Sequence, residues 1–280
     1  MFELPEMVTL ARQMNDTLMG RVIRSGRLGN SPHKFVWYNR SDDEFSQLTQ
    51  GKRIGAAYAR GRWLFVPLDP GYVLLFGECG GNILHHRPGA RLPKKYHLHL
   101  VFDDDSFLTA TTQMWGAYEL YQAGQEQERD YVRGMRTTPA EPGFTVDYLS
   151  ALIDTAAAEK KRSVKGLLTQ DQLVPGLGNA IAQDIMFRAR LHPKCAINTL
   201  TPEERYTLHA AIVDTVQEVI AAGGRYDETD LYGNRGGYVR MMDKNAAGQP
   251  CPECGTSITK ISYLGGTCYY CPACQSESGG

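Results

Sequence analysis

Five of the seven cysteines fall between residues 251 and 274, and four of them form two pairs, Cys251-Pro-Glu-Cys254 and Cys271-Pro-Ala-Cys274. No other feature of the sequence limits the fold so strictly. A C-x2-C turn sets two thiolates where tetrahedral Zn²⁺ needs them, with Zn–S near about 2.3 Å, and a hairpin between two such turns supplies the other two. The stretch 258–270 between the pairs carries Gly265-Gly266 as the turn of that hairpin. Clustering of this kind, in a chain that opens with no export signal, favours metal over disulfides. Cys268 is off the spacing and reads as a spare thiol. A closed four-cysteine site is structural, so a single zinc is expected to hold the hairpin rather than perform chemistry.

The length of 280 residues and the apolar fraction of 42% suit two domains with real cores, or one domain and a small module. The formal net charge is −1, which does not advertise a polyanionic partner, although a local basic patch would suffice for one. No run of 18 apolar residues occurs, and no signal-peptide pattern opens the chain. A cytoplasmic monomer with no membrane association is therefore expected.

Residues 1–6 (MFELPE) run into an amphipathic helix, with Pro5 in its first turn and Met7, Ala11, Met14 and Leu18 at helical spacing. The region 21–62 reads as short strands and turns, with a loop at Gly29-Asn30-Ser31-Pro32 and a strand at 34–38. The runs 62–68 and 72–76 are apolar strands around the turn Asp69-Pro70-Gly71, and 97–102 alternates as a strand should. Short strands at regular intervals imply a sandwich or barrel rather than βαβ units. Composition then shifts: 125–136 is charged, and 137–143 carries two prolines and a glycine. From 144 to about 224 the period is helical, while 223–248 has six glycines and no period.

The expected class is thus α+β. A β-sandwich or barrel domain with an N-terminal helix spans 1–130, a linker 131–143, and a helical domain with a long loop 144–247. A four-cysteine zinc finger follows at 248–276, with a tail at 277–280. Within the helical part, Pro175-Gly-Leu-Gly-Asn179 turns sharply into a helix over about 180–190. The free N–H groups of such a helix start suit a phosphate, and Asn179 could add its amide.

Taken together, Glu3-Leu-Pro-Glu6, Pro175-Gly-Leu-Gly-Asn179 continuing to Arg190-Leu-His-Pro193, and the two cysteine pairs resemble the bacterial formamidopyrimidine-DNA glycosylase and endonuclease VIII family. The resemblance covers nearly the whole chain. It implies a helix-two-turn-helix domain over 144–247 and a zinc-finger β-hairpin at the end. Family members remove oxidised bases from DNA and cut the abasic strand. Their nucleophile is the amine of a mature N-terminal proline, which forms a Schiff base with sugar C1′. A terminal amine suits this step, because with a pKa of about 8 roughly a tenth of it is neutral at pH 7.

The position of that proline is Phe2 here, whose bulk is expected to hinder removal of Met1. Glu3 matches the family acid that assists sugar-ring opening, and Glu6 is kept. The strand lysine that contacts phosphate corresponds to Arg62, and the hairpin arginine that clamps the backbone corresponds to Gly266. The trio that fills the gap left by a flipped base corresponds to Glu78, Gln113 and Trp115. Lys165 and Asn179 match phosphate-binding positions, and His97 a backbone-contacting histidine within a basic run from 85 to 99.

The resemblance therefore implies binding to double-stranded DNA, damaged or abasic, in base excision repair. Arg62, His97, Trp115, Lys165 and Asn179 are the expected contacts. Glu3 is the retained acid, Phe2 the substituted nucleophile, and the classical Schiff-base lyase chemistry is expected to be lost or altered. The alternatives are an active glycosylase/AP lyase using a non-proline amine, and an inactive binder of structured RNA or the ribosome. On the DNA reading the protein is expected to associate with the nucleoid.

Overall fold

The computed structural model describes residues 1–31 and 33–275. Pro32 of the expected 29–32 loop, Ser276 and the expected tail at 277–280 lie outside the described residues. The chain divides into two compact units, residues 1–135 with 220–238, and residues 136–219 with 239–280.

In the first unit, α1 (Leu4–Leu18) starts at Glu3, with Pro5 in the first turn and the carboxylate of Glu6 accepting the Glu3 N–H at 2.9 Å. Its buried face is Leu4, Met7, Leu10, Ala11, Met14 and Leu18. There follow β1 (Ile23–Leu28), β2 (Val36–Tyr38), α2 (Asp42–Thr49), β3 (Arg53–Ile54), β4 (Tyr58–Arg60), β5 (Trp63–Asp69) and β6 (Tyr72–Gly77). Then come β7 (Gly81–His86), β8 (Leu98–Phe102), β9 (Phe107–Thr112), β10 (Gly116–Gln122) and the short α3 (Asp130–Arg133). The strands make a four-stranded sheet in the order β1-β8-β9-β7 and a six-stranded sheet β2-β10-β6-β5-β3, with β4 also on β5. All pairs are antiparallel except β2 with β10, which is parallel.

The sandwich core lies between the sheets. Leu64, Val66, Leu74, Phe76 and Leu120 meet Ile83, Leu98, Leu100 and Phe102 there, together with the face of α1. The other face of the six-stranded sheet is covered as well, with Trp63, Phe65, Val73 and Leu75 packed on Val132 of α3. Burial on both faces explains why 63–68 reads as a continuous apolar run instead of alternating.

One expectation fails locally. The region 21–62 holds α2 besides its strands. Ser41 caps this helix reciprocally with Glu44, and Phe45 and Thr49 are buried beneath it. The Ser-x-x-Glu box was visible in the sequence, but only two apolar positions follow it, too few to show a period.

The glycine-rich stretch after residue 223 was expected to belong to the helical domain, yet 220–238 groups with the first unit. Leu231 is fully buried in the sandwich core, and its N–H donates to Gln13 of α1. Bridges Arg225–Tyr238 and Thr229–Arg235 fold the segment on itself.

The second unit carries α4 (Val146–Glu159), α5 (Val164–Thr169), α6 (Asn179–Arg188) and α7 (Pro202–Ala221) up to residue 219, then the hairpin β11 (Thr259–Tyr263) and β12 (Gly266–Tyr270). Thr145 and Ser163 cap α4 and α5 through their side chains. Among the described residues no helix is long and apolar enough to cross a membrane.

Phe2 is completely buried in the sandwich core. Phe2→Ala is expected to cost about 3–5 kcal/mol, read as a lowered urea midpoint with an unchanged m-value.

Candidate functional site

The N-terminus is held by a buried ionic cluster. Phe2 donates its backbone N–H to the Cys79 carbonyl at 2.9 Å while its ring fills the core. The nitrogen of residue 2 is an amide in a hydrogen bond, and the side chain at this position is a packing element of the core.

The free amine belongs to Met1, and its ammonium lies 2.7 Å from Glu228 Oε1. The Met1 carbonyl accepts from Arg225 Nη2 at 2.8 Å. Arg225, 2% exposed, grips Glu6 in a fork, with Nε to Oε1 and Nη2 to Oε2 both at 3.0 Å. Its own N–H donates to Glu6 Oε1 at 3.0 Å. Glu228 lies 3.5 Å from Nη2 and Glu3 3.9 Å from Nη1. Burial works to lower the Arg225 pKa, but the carboxylates of Glu6 and Glu3 outweigh it, and the net shift is upward. A planar guanidinium suits this place because it serves a carboxylate in bidentate fashion and still has donors left over.

Neither Arg225 nor Glu228 was found from the sequence. Glu6, the bidentate partner of Arg225, is 219 residues away along the chain, and no local pattern links the two. The only nearby signal is Gly223-Gly224, both at positive φ, which turns the chain after α7.

Beside Met1 lies a cavity of about 170 Å³, lined among others by Asn82, Gln113, Asp227, Glu228 and Thr229. Arg62 Nη1 pairs with Glu78 at 3.2 Å and lies 3.8 Å from Met1 Sδ. Trp115 is 40% exposed and contacts Phe35 and Trp37. His97 is buried, and its Nδ1 accepts the Thr112 N–H at 2.7 Å. Burial pushes His85, His86, His97 and His99 below the ordinary imidazole value. At neutral pH the positive charge of the basic run thus rests on its arginines and lysines.

In the second unit, Gly178 is the N-cap of α6 and Asn179 its first residue. The Asn179 amide donates to the Thr267 carbonyl at 3.3 Å. Gly266 packs against it so closely that a Cβ would stand 3.3 Å from Asn179 Oδ1. Lys165 is 1% exposed, and its ammonium donates to the Tyr263 carbonyl at 2.5 Å. Lys165 and Asn179, both expected to meet phosphate, thus converge on the turn of the hairpin that contains Gly266.

At the base of the hairpin the four expected thiols come together, all within 4.8 Å of one another. The distances are 3.9 Å for Cys251–Cys274, 3.5 Å for Cys254–Cys271 and 3.5 Å for Cys254–Cys274. A tetrahedron with Zn–S arms of about 2.3 Å has edges of about 3.8 Å, so the set fits Zn²⁺. Backbone N–H groups of Glu253 and Cys274 point at Cys251 and Cys271 sulfurs, both at 3.4 Å. Hydrogen bonds from Thr256 draw the Cys254 thiol down to about 6, whereas burial and the adjoining thiols push Cys274 up. A divalent cation relieves that opposition among crowded sulfurs. Cys268 is buried in β12, outside the cluster. The module packs as a small core of Phe187, Met242, Cys251, Ile258 and Cys271.

Arg225→Met should leave Glu6 buried without its partner and cost about 3–5 kcal/mol, measured by chemical denaturation. The purified protein should carry one zinc per chain by elemental analysis. Cys271→Ser should lower that content, and acidification should release the metal as the thiolates take up protons.

Two family models match the chain, the formamidopyrimidine-DNA glycosylase N-terminal domain over residues 1–117 and the formamidopyrimidine-DNA glycosylase H2TH domain over 137–229. The formamidopyrimidine-DNA glycosylase of Chloroflexus aurantiacus is 30% identical over 280 residues, covering 98% of this chain and 97% of its own. That of Desulfitobacterium hafniense is 27% identical over 277 residues, covering 98% and 99%. The fold matches the Lactococcus lactis Fpg solved with DNA containing an abasic site, with a TM-score of 0.83 at 24% identity over 98% and 99% of the two chains. Both domain models align in order and the curated relatives match from end to end, so the chain belongs to the formamidopyrimidine-DNA glycosylase family.

Proposed function

We propose that the protein binds double-stranded DNA at a damaged base or abasic site, and that the proline-type Schiff-base reaction is absent from it. Family membership across both domains supports the first part, together with the similar Lactococcus lactis protein solved on abasic DNA. The burial of Phe2, with its nitrogen spent on the Cys79 carbonyl, is the observation that carries the second. Arg62 and Asn179 are the side chains read as backbone contacts, and Trp115 the one that meets bases. Lys165 acts on this reading by holding the hairpin turn. Zinc, when bound, keeps the hairpin folded and takes no part in the chemistry.

A second reading has one observation in its favour, namely that the Met1 amine stands 2.7 Å from Glu228 beside a cavity. A primary amine adds to the open-chain sugar aldehyde and loses water to give an imine. Glu228 is placed to take the ammonium proton before attack.

Borohydride trapping on an abasic duplex separates the two. The binding reading expects a complex that Asn179→Ala weakens about fivefold and no covalent adduct. An adduct lost in Glu228→Gln, with Met1 present by intact mass, would instead establish the amine reading. Tighter binding to structured RNA than to any duplex would overturn both.

A further inference from the structure

One exposed feature is not used by either reading. Trp37, 44% exposed on the edge strand β2, stacks on Trp115 at 5.3 Å between centroids and 12° between planes. Trp115 also touches Phe35 at 4.5 Å. Among the described residues, Trp115 is the sole ring neighbour of Trp37. An indole of that size left open at the end of a ring stack loses the burial that usually holds tryptophan in a fold.

The surroundings are basic in a protein whose net charge is −1. Lys34 Nζ lies 5.3 Å from the Phe35 ring. Asn30, in the loop before β2, joins the 94–96 stretch, with its amide on the Lys94 carbonyl at 3.1 Å and its oxygen accepting the Tyr96 N–H at 3.1 Å. The rings of His33 and His97 close the link at 5.4 Å. The segments 28–38 and 91–99 together contribute Lys34, Arg91, Lys94 and Lys95 and contain no aspartate or glutamate. Stacked aromatic faces with a lysine at the adjoining ring match an unpaired base on a phosphate backbone, since every base offers a π-face and every phosphate a negative charge.

The stretch between β9 and β10 that carries Trp115 also leads toward the N-terminal cluster. Gly80 donates its N–H to the Trp115 carbonyl at 3.1 Å, and a Cβ on Gly80 would stand 3.6 Å from Met1 Cα.

We infer that Trp37, stacked on Trp115 beside the Phe35 ring that Lys34 approaches, forms a platform for an unpaired nucleobase of a DNA strand. The inference rests on the DNA-binding reading above. It adds a base-stacking site on β2 that reaches beyond the single wedge position at Trp115.

Tryptophan fluorescence tests it directly, because the third tryptophan, Trp63, is 1% exposed beneath the Arg129 guanidinium and serves as a silent internal reference. Single-stranded oligothymidylate should quench the emission, and an abasic oligomer of the same length, at the same ionic strength, should not. Trp37→Ala should weaken oligothymidylate binding about fivefold or more, while Trp37→Phe should retain most of the affinity. Thermal unfolding of both variants, expected to be unchanged at this exposed site, separates lost stacking from lost structure. Equal quenching by the two oligomers would overturn the platform alone, as would DNA binding by folded Trp37→Ala at the wild-type level. Failure of the wild type to bind any DNA at low salt would overturn the DNA-binding reading, and the platform with it.

Discussion

The guanidinium of Arg225 joins parts of the first unit that no strand or helix connects. It holds Glu6 in a fork, reaches the Met1 carbonyl, and has Glu3 and Glu228 within 4 Å. Charges this deeply buried forfeit several kcal/mol of hydration each, and the loss is tolerable only where hydrogen bonds and opposite charge replace the water. The arrangement is therefore stringent. It dictates where the first turn of α1 begins, where Met1 emerges, and where the chain must return after the long α7 helix.

That cluster gives Glu3 a structural role. Its carboxylate stands at the start of α1, where an acid is favoured by the helix dipole, and it contributes to the field that keeps Arg225 charged. Glu3 is thus tied to the buried arginine, while the neighbouring Phe2 ring adds to the sandwich core. The first residues form the organised point of the domain, with the Met1 ammonium paired with Glu228.

A similar economy shapes the second unit. Lys165 and Asn179 come from α5 and α6, and both bind main-chain carbonyls of the hairpin turn. The hairpin buries little apolar surface of its own and needs these contacts, the Gln183 acceptor for Tyr269 and the four-thiol site to hold its shape. Gly266 fits because any larger residue would press on the Asn179 amide.

The zinc module was fully legible in the sequence, because its ligands are local and the metal's geometry admits few spacings. So were α1, the apolar strands β5 and β6, and the helices of the second unit, whose buried faces repeat at short range. Helix α2 escaped notice because two buried residues make no period. Residues 220–238 read as part of the helical domain, because glycines suppress periodicity and nothing local announces the contact of Leu231 with Gln13 of α1. Likewise no spacing announced that Arg225 would find Glu6, that Met1 would meet Glu228, or that Trp37 would stack on Trp115. Sequence by itself determined the modules and their order, since propensity, patterning and metal geometry act over a few residues. Which charges and rings come together was decided only by the tertiary structure, because burial and electrostatics act through space, without regard to separation along the chain.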